Sequence, residues 1–303
     1  MPSVLPDPGR RPRHRLTIPL LVALLCLVWG STWWAIRLCL RDQPPLSSAA
    51  LRFLLAGAAM AALAGRLRRF EAGPPPRTWL WLAAGTANFA LSYGVIYVAE
   101  TVVPSGIAAV LWSIFPLLMA ASAVLFLGER LRPLQVLGFL VSFSGIVTVF
   151  AGDLGGIGPG NLWAAVLLLA SPFLSATGTT LIKKYGSGTS SVLLNRNGML
   201  LGAALLSLAA FVREDPLAMA WTWRGTLATL YLALPGTALT FGIYFRLLRT
   251  APASTMSLIS YVTPVLAMLL GALVGDGTID GAAWLGAGLV VLGVALVVAR
   301  PAR

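Results

Sequence analysis

Ten long apolar segments, separated by short polar or glycine- and proline-rich stretches, constrain this chain more than any other feature of its sequence. A helix needs about 20 apolar residues to cross the roughly 30 Å hydrocarbon core of a bilayer, because each residue adds about 1.5 Å. The segments have this length and show no alternation of period two, so the sequence predicts membrane helices and not a barrel. The predicted bounds are 18–40, 46–65, 79–99, 105–127, 133–150, 161–182, 190–212, 225–245, 253–274 and 281–299.

The amino-acid composition excludes an ordinary soluble domain. Of the 303 residues, 58% are hydrophobic and only 11% are charged, whereas about a quarter of the residues in soluble domains are charged. The net charge of +12 raises nucleic-acid binding as an alternative. Most arginines, however, lie in short clusters between the apolar segments, and only the tail at residues 1–15 concentrates them. We expect this basic tail to be cytoplasmic and to orient the chain in a lipid bilayer, with no nucleic-acid partner.

Cysteine and histidine give no indication of a metal site. Cys26 and Cys39 both fall in the first apolar segment, and the single histidine, His14, lies in the basic tail. We therefore expect no disulfide framework, no metal ion and no other cofactor. The first segment has the apolar core of a signal peptide, but no Ala-x-Ala cleavage site follows it, so we expect it to be retained as a helix.

Lysine and arginine are distributed unevenly along the chain. If the N-terminus is cytoplasmic and ten helices alternate in direction, 16 of the 22 basic residues lie in cytoplasmic segments. The other six are Arg41, Arg213 and Arg224 in outer loops, and Arg37, Arg52 and Arg196 within helices. Cytoplasmic loops of membrane proteins are enriched in basic residues. The sequence therefore predicts a multi-pass protein of the cell inner membrane with both termini in the cytoplasm.

The two halves of the chain are similar to each other. A shift of 148 residues superimposes prolines and glycines, and shifts of 144 to 147 residues superimpose charged positions. The matched pairs are Pro104 with Pro252, Pro116 with Pro264, Gly94 with Gly242, Gly145 with Gly293, Leu137-Gly138 with Leu285-Gly286, Arg37 with Lys183, Arg52 with Arg196, and Gly128-Glu129 with Gly275-Asp276. Because each half has five helices, the second half enters the membrane inverted. We predict an all-α fold with five-helix repeats at residues 16–151 and 161–300, joined by a loop at residues 152–160.

Three stretches of the first half carry a family resemblance. They are Trp29-Gly30-Ser31-Thr32, then Ala50-Leu51-Arg52-Phe53, and the run from Pro104 through Leu127-Gly128-Glu129-Arg130-Leu131 to Ser144-Gly145-Ile146. With them the chain resembles the EamA-type branch of the drug/metabolite transporter superfamily, over nearly its whole length after the basic tail. The second half departs from the pattern at Ser175-Ala176-Thr177, where the Trp-Gly pair is not kept. The resemblance implies ten helices around a central cavity and export of amino acids or other small metabolites.

Two prolines, Pro116 and Pro264, fall near the middle of the fourth and ninth segments. Proline lacks the N–H group and clashes with the carbonyl four residues earlier, so it kinks a helix. Paired interruptions in corresponding positions of two inverted halves are typical of a transport site. We predict that both prolines take part in helix breaks or gating at a site between these helices. The alternative is that they only curve the helices for packing.

Aromatic and small polar side chains near these breaks are the candidates for binding a small amphipathic solute. The predicted substrate-binding residues are Trp29, Trp33, Asn88, Tyr93, Tyr97, Trp112, Ser113, Ser260 and Tyr261. An aromatic belt at the membrane surface and hydroxyl groups used for helix packing are the alternative. Arg52 and Arg196 lie within helices, where each either binds a substrate carboxylate or anchors its helix at the interface.

No Asp or Glu lies in the middle of a predicted helix, so a buried acidic proton relay is not evident. Glu100 is near the outer rim of the third helix, while Glu129 and Asp276 end the fourth and ninth helices. We therefore name Glu100 as the candidate proton carrier, with facilitated diffusion or exchange as alternatives.

Taken together, these patterns predict a secondary transporter, an exporter of amino acids or similar small metabolites by alternating access. Drug efflux or uptake by a permease of the same superfamily is the alternative within this class. A non-transporting scaffold or sensor is the alternative of another class, and a membrane enzyme is disfavoured because no intramembrane histidine or metal-spaced set of residues occurs. We expect no catalytic residues. The expected partners are a small-molecule substrate and the lipid bilayer, and the chain is expected to be a monomer or a weak homo-oligomer.

Overall fold

The part of the chain that the structure describes forms ten helices, arranged as two repeats of five. The computed structural model describes residues 13–67, 73–103, 105–151, 159–215, 218–274 and 280–299. In these ranges nine helices are at least 18 residues long and apolar enough to cross a membrane, and the helix Pro133–Val149 is one residue shorter than that length. The secondary structure assigned there is entirely helical, as the sequence predicts.

Four of the ten helices change geometry or are interrupted along their length, and six are continuous. The continuous helices are α1 (Arg13–Leu40), α2 (Pro45–Leu67), α5 (Pro133–Val149), α6 (Leu162–Tyr185), α7 (Ser191–Arg213) and α10 (Gly281–Val298). The composite helices are α3 (Thr78–Ala84, Gly85–Leu91 and Ser92–Ala99), α4 (Ser105–Trp112 and Phe115–Leu127), α8 (Trp223–Ala233, Leu234–Leu239 and Thr240–Leu248) and α9 (Ala253–Ser257 and Ile259–Val274).

The helix ends agree with the predicted segments to within a few residues. The largest difference is at α1, which begins at Arg13 instead of residue 18, so the end of the predicted basic tail is helical. Residues 1–12 of the tail, residues 152–158 of the predicted inter-repeat loop, and the repeat positions Pro104, Gly275 and Asp276 lie outside the described residues. Residues Pro159–Asn161 form a single 3₁₀ turn before α6.

Short connections make successive helices cross in alternate directions. We call the membrane face at which α1 begins the near face and the opposite one the far face. Three helices begin with a side-chain cap from their own chain segment: Ser190 accepts from the Leu193 N–H, Thr222 from the Gly225 N–H and Asp280 from the Ala283 N–H. These caps satisfy N–H groups that have no partner within the helix.

The two repeats pack around a pseudo-two-fold axis. A Cβ atom on Gly138 of α5 would lie 2.6 Å from the carbonyl oxygen of Gly293 in α10, and one on Gly145 would lie 2.7 Å from that of Gly286. The repeat matches Gly138 with Gly286 and Gly145 with Gly293. Gly138 therefore contacts the counterpart of Gly145, and Gly145 contacts the counterpart of Gly138. The pair α2 and α7 meets in a similar way, since a Cβ on Gly57 would lie 2.7 Å from the Leu200 side chain. Close packing through small residues is typical of membrane helices.

The buried side chains form two clusters, and the larger one holds the centre of the molecule. It takes residues from α1 to α4 and α6 to α9, while the smaller one joins α5 and α10 to parts of α4 and α9. Trp112 and Phe115 of the larger cluster flank the break in α4, which lies at Ser113 and Ile114, just before Pro116. The break in α9 lies at Leu258, earlier than Pro264, which is inside the second segment of that helix.

Candidate functional site

Helices α3 and α8 each contain a π-helical segment, and the two segments occupy corresponding positions of the two repeats. The shift of 148 residues places the last residue of one, Leu91, on the last residue of the other, Leu239. A π segment widens the helix by one residue per turn and often marks a functional site. In α8 the Thr237 hydroxyl donates a hydrogen bond of 2.7 Å to the carbonyl of Leu232, five residues earlier. Both segments lie in the interior, and sequence patterns did not predict them.

Arg52 of α2 is buried against the π segment of α8, with only 1% of its surface exposed. Its Nε donates to the Thr237 hydroxyl at 2.7 Å, its Nη2 to the Gly236 carbonyl at 3.4 Å, and its Nη1 to the Tyr97 hydroxyl at 3.3 Å. The guanidinium carbon lies 4.8 Å from the centre of the Tyr93 ring. All of these partners are neutral, and the three bonds use three of the five N–H donors of the guanidinium. The buried positive charge can therefore accept an anionic partner.

An aromatic cluster from α1, α3 and α8 lies next to this arginine. The Trp29 ring is 5.4 Å from Phe241 and 5.3 Å from Tyr244, measured between ring centres. Phe241 is also 5.1 Å from Phe89 and 6.3 Å from Tyr93. The rings are tilted or edge-on, which is the favoured arrangement of aromatic pairs. Tyr93 is common to this cluster and to the arginine, so the two features form one continuous centre.

Several buried polar atoms of the centre and its surroundings have no hydrogen-bond partner among the described residues. They include the Trp29 Nε1, both amide atoms of Asn88, the Tyr244 hydroxyl and both carboxylate oxygens of Glu100. Leaving a buried polar group unpaired costs about 1–3 kcal/mol. The Asn88 amide lies against Gly178 of α6, where an added Cβ would be 2.7 Å from it. Together these atoms offer donors and acceptors to a small polar solute.

A groove between α1 and α8 opens on the far half of the molecule. It has a volume of about 570 Å³ and is lined by Trp34, Leu38, Trp223 and Leu227 among others. At its base the Ser31 and Tyr231 hydroxyl groups are hydrogen-bonded to each other, and Arg41 and Arg224 belong to its lining. This groove lies between one helix of each repeat and is mostly apolar.

Sequence comparison identifies the family. The model of the EamA-like transporter family matches residues 16–151 and 162–299, which are nearly all of the chain. The chain belongs to the EamA-like transporter family. Its two matched regions correspond to the two five-helix repeats of the structure.

One relative of this EamA-like chain is described as an inner membrane transporter. The chain is 35% identical over 292 residues to the uncharacterized inner membrane transporter YedA of Escherichia coli K12, covering 94% of this chain and 92% of that protein. It is 28% identical to the protein PecM of Dickeya dadantii, covering 86% and 84% of the two chains. The chain is also similar to a protein of known crystal structure, with 23% sequence identity and a TM-score of 0.78. The match covers 93% of this chain and 96% of the chain in the crystal structure, which shows that the two share a fold. The chain is therefore a membrane transporter.

Within this EamA-like structure, some of the predicted site residues come together and others do not. Trp29, Asn88 and Tyr93 lie in the centre, and Tyr97 joins it through Arg52. Arg196, the repeat counterpart of Arg52, donates from Nε to the neighbouring Asn197 at 2.9 Å and is only partly buried.

The predicted residues of α4 and α9 are placed differently from those of α1 and α3. Trp112 stacks on Phe115 at the break in α4, with ring centres 5.6 Å apart, and the buried Ser113 hydroxyl donates to the Val110 carbonyl at 2.6 Å. Tyr261 donates to the Phe139 carbonyl at 3.1 Å in the smaller core cluster, away from the aromatic centre. The structure buries the remaining predicted residues, which are Trp33, Ser260, Pro116 and Pro264.

The centre also contains residues that the sequence reasoning missed. Phe89, Phe241, Tyr244 and Thr237 are part of it, although none was a candidate. The internal repeat could have indicated that α8 also contributes aromatic residues to the centre. The shift of 148 residues places Tyr93 on Phe241 and Tyr97 on Phe245, so the repeat counterparts of two candidates are both aromatic.

Proposed function

We propose that this protein is a secondary transporter that exports amino acids, or similarly small metabolites with an anionic group, by alternating access. The observation that carries the proposal is the buried Arg52, whose hydrogen-bond partners among the described residues are all neutral and which adjoins an aromatic centre with unpaired polar atoms. A carboxylate forms strong, charge-assisted hydrogen bonds with a guanidinium. The aromatic rings suit the apolar part of the same solute.

The outward direction that we propose is described in the orientation inferred from the basic residues. Basic residues are concentrated on the side where α1 begins, so the near face is the cytoplasmic one. In this orientation Arg52 lies in the outer half of the membrane, seven residues from the far end of α2. Solute enters from the near face, passes the aromatic centre and leaves through the far half. The inverted repeat supports this cycle, since the two halves can exchange roles.

Drug efflux is the second candidate, and the groove between α1 and α8 favours it. Lipophilic compounds partition into the bilayer, and an apolar groove of about 570 Å³ open on the far half offers them a path between the repeats. A solute of this kind would not need the guanidinium of Arg52. The two candidates therefore differ in their dependence on that residue.

Counterflow into proteoliposomes that contain the purified protein tests the proposal. The panel includes neutral, aromatic and charged amino acids, and for each the amine that lacks the carboxylate. We expect saturable uptake of at least one amino acid, no uptake of its amine, and a loss of roughly tenfold or more in Arg52→Gln. Arg196→Gln is the matched control, because this arginine lies at the repeat counterpart outside the centre, and it is expected to keep its activity.

Two results would count against amino acids as substrates. One is the absence of uptake of every amino acid by protein shown to be folded. The other is equal uptake of an amino acid and its amine, which would mean that the carboxylate is not recognised. Uptake of lipophilic compounds that persists in Arg52→Gln would support the second candidate.

A further inference from the structure

Two helices receive their N-terminal cap from the other repeat. The first turn of α2 contains no acidic residue, and neither does the first turn of α9. Glu214, at the end of α7, caps α2 on the far face, and Glu129, after α4, caps α9 on the near face. A carboxylate at a helix N-terminus pairs with free N–H groups and with the positive end of the helix dipole.

The two caps have the same chemistry. Glu129 accepts from the Ala253 N–H at 2.7 Å, from the Ser254 N–H at 3.4 Å and from the Ser254 hydroxyl at 2.6 Å. Glu214 accepts from the Leu46 N–H at 2.6 Å, from the Ser47 N–H at 2.8 Å and from the Ser47 hydroxyl at 2.7 Å. Each carboxylate thus binds two successive backbone groups and a serine.

The two caps differ in what else holds their helices together. Helices α2 and α7 are in close contact along their length: a Cβ on Gly57 would lie 2.7 Å from the Leu200 side chain. The cap by Glu214 therefore reinforces a contact that is already extensive. Glu129 instead joins the ends of α4 and α9, the two helices that are interrupted in the interior. The segment Ala253–Ser257 has a smaller contact with α4 than α2 has with α7, so separation of these two ends breaks fewer contacts.

The local structure around Glu129 has the features of a hinged latch. Gly128 has φ of +70°, which glycine adopts without strain, and this turn ends α4 and places Glu129 beside α9. The capped segment Ala253–Ser257 is separated from the rest of α9 at Leu258. Just before it, the Lys183 ammonium donates to the carbonyls of Leu248 at 2.6 Å and Ala251 at 2.9 Å. The connection that precedes the segment is therefore held in place from α6.

We propose that Glu129 is the latch of a gate on the near face. Release of its bonds lets the segment Ala253–Ser257 pivot at Leu258 away from the end of α4, and this movement opens a path from the near face toward the interior. Glu129 is a positioning residue: it holds two helices together and does not contact the solute. The inference rests on the proposed transport function, because a gate has a purpose only if solute passes.

Labelling of a buried reporter cysteine tests the latch without any solute. The reporter is Ser257→Cys in a background with Cys26→Ala and Cys39→Ala, since Ser257 is fully buried and belongs to the segment that should pivot. A membrane-impermeant maleimide is added from the near face of oriented vesicles. We expect Glu129→Gln, which keeps the shape of the side chain and removes its charge, to raise the labelling rate about tenfold or more. Ser254→Ala removes one of the three bonds and should raise it less.

Glu214→Gln is the matched control, because it breaks the same set of bonds where α2 and α7 are packed closely. We expect it to leave the labelling of Ser257→Cys unchanged. A second reporter, Ser48→Cys, is buried on the far side and detects general loosening when the same maleimide is added from the far face. The inference is overturned if Glu129→Gln leaves the labelling of Ser257→Cys unchanged. It is also overturned if Glu214→Gln raises that labelling as much, or if Glu129→Gln raises the labelling of Ser48→Cys as much as that of Ser257→Cys.

The two proposals fail in different ways. Changed labelling without uptake of any amino acid would support the gate and remove the proposed substrate. Counterflow in the wild-type protein, together with unchanged labelling in Glu129→Gln, would support transport and remove the gate.

Discussion

Gly145 of α5 and Gly286 of α10 are in direct backbone contact across the two repeats. A Cβ atom on Gly286 would lie 2.5 Å from the carbonyl oxygen of Gly145, and one on Gly145 would lie 2.7 Å from that of Gly286. No ordinary side chain fits such a space without moving one helix. The contact fixes the distance between α5 and α10, while the aromatic centre between other helices is lined by larger side chains.

Gly286→Ala is therefore expected to destabilise the protein by about 1–3 kcal/mol, because the added methyl group forces α5 and α10 apart. Gly288→Ala in the same helix is the matched control, since nothing lies within 4 Å of its added Cβ. That substitution should be neutral or slightly stabilising, because alanine is the better helix former. Thermal unfolding of the purified proteins in detergent measures the difference, and equal midpoints for the two variants would contradict it.

Asn88→Leu should separate stability from transport. The Asn88 amide has no hydrogen-bond partner among the described residues, so leucine breaks no internal bond and the unfolding midpoint should stay the same or rise. Counterflow should nevertheless fall about tenfold if the amide binds solute. Asn195→Leu is the control, because its amide donates to the carbonyls of Ser191 at 2.9 Å and Phe241 at 3.3 Å, and its loss should lower stability. Wild-type counterflow in Asn88→Leu would exclude the amide from the site.

Glu100→Gln tests energy coupling. Both carboxylate oxygens are buried without a hydrogen-bond partner among the described residues, and the charged groups that act on them are Arg37 of α1 and Arg52 of α2. If Glu100 carries the proton, the variant should keep counterflow, which needs no net proton movement, and should lose accumulation driven by a pH gradient. Asp280→Asn removes a carboxylate that only caps α10 and should keep both activities. Accumulation that survives in Glu100→Gln would remove this residue as the proton carrier.

The fold could be predicted from the sequence because lipid imposes length and apolarity on every helix. The predicted segments differ from the helices by a few residues, and the repeat positions Gly138, Gly145, Gly286 and Gly293 are the ones that meet. Pro116 indicated the break in α4, since the missing N–H of proline affects the preceding turn. The break in α9 lies at Leu258 instead of beside Pro264, and nothing in the sequence near Leu258 indicated it.

The centre was harder to predict, because it depends on which helix faces meet. Tyr261 and Tyr93 are both tyrosines of interior helices, yet one packs against α5 and the other contacts Arg52. Pro235 lies inside the π segment of α8 and lacks the N–H of a regular turn, so it was an available signal there. The π segment of α3 contains no proline and is recognisable only as the repeat counterpart of the π segment of α8. The N-terminal caps that Glu129 and Glu214 provide to helices of the other repeat could not be predicted from the local sequence.

The burial of Arg52 has a consequence for how the chain is made. Its acceptor Thr237 lies 185 residues later in the sequence, so α2 is inserted into the membrane long before α8 has been synthesised. An arginine inside an inserted helix costs about 2.5–3.5 kcal/mol, and its long side chain reaches the nearer interface when no partner is present. During biogenesis we therefore expect the guanidinium of Arg52 to lie first at the far surface, and to become buried only when α8 has been inserted. Truncation of the nascent chain before α8 would leave α2 as the weakest inserted segment of the first half.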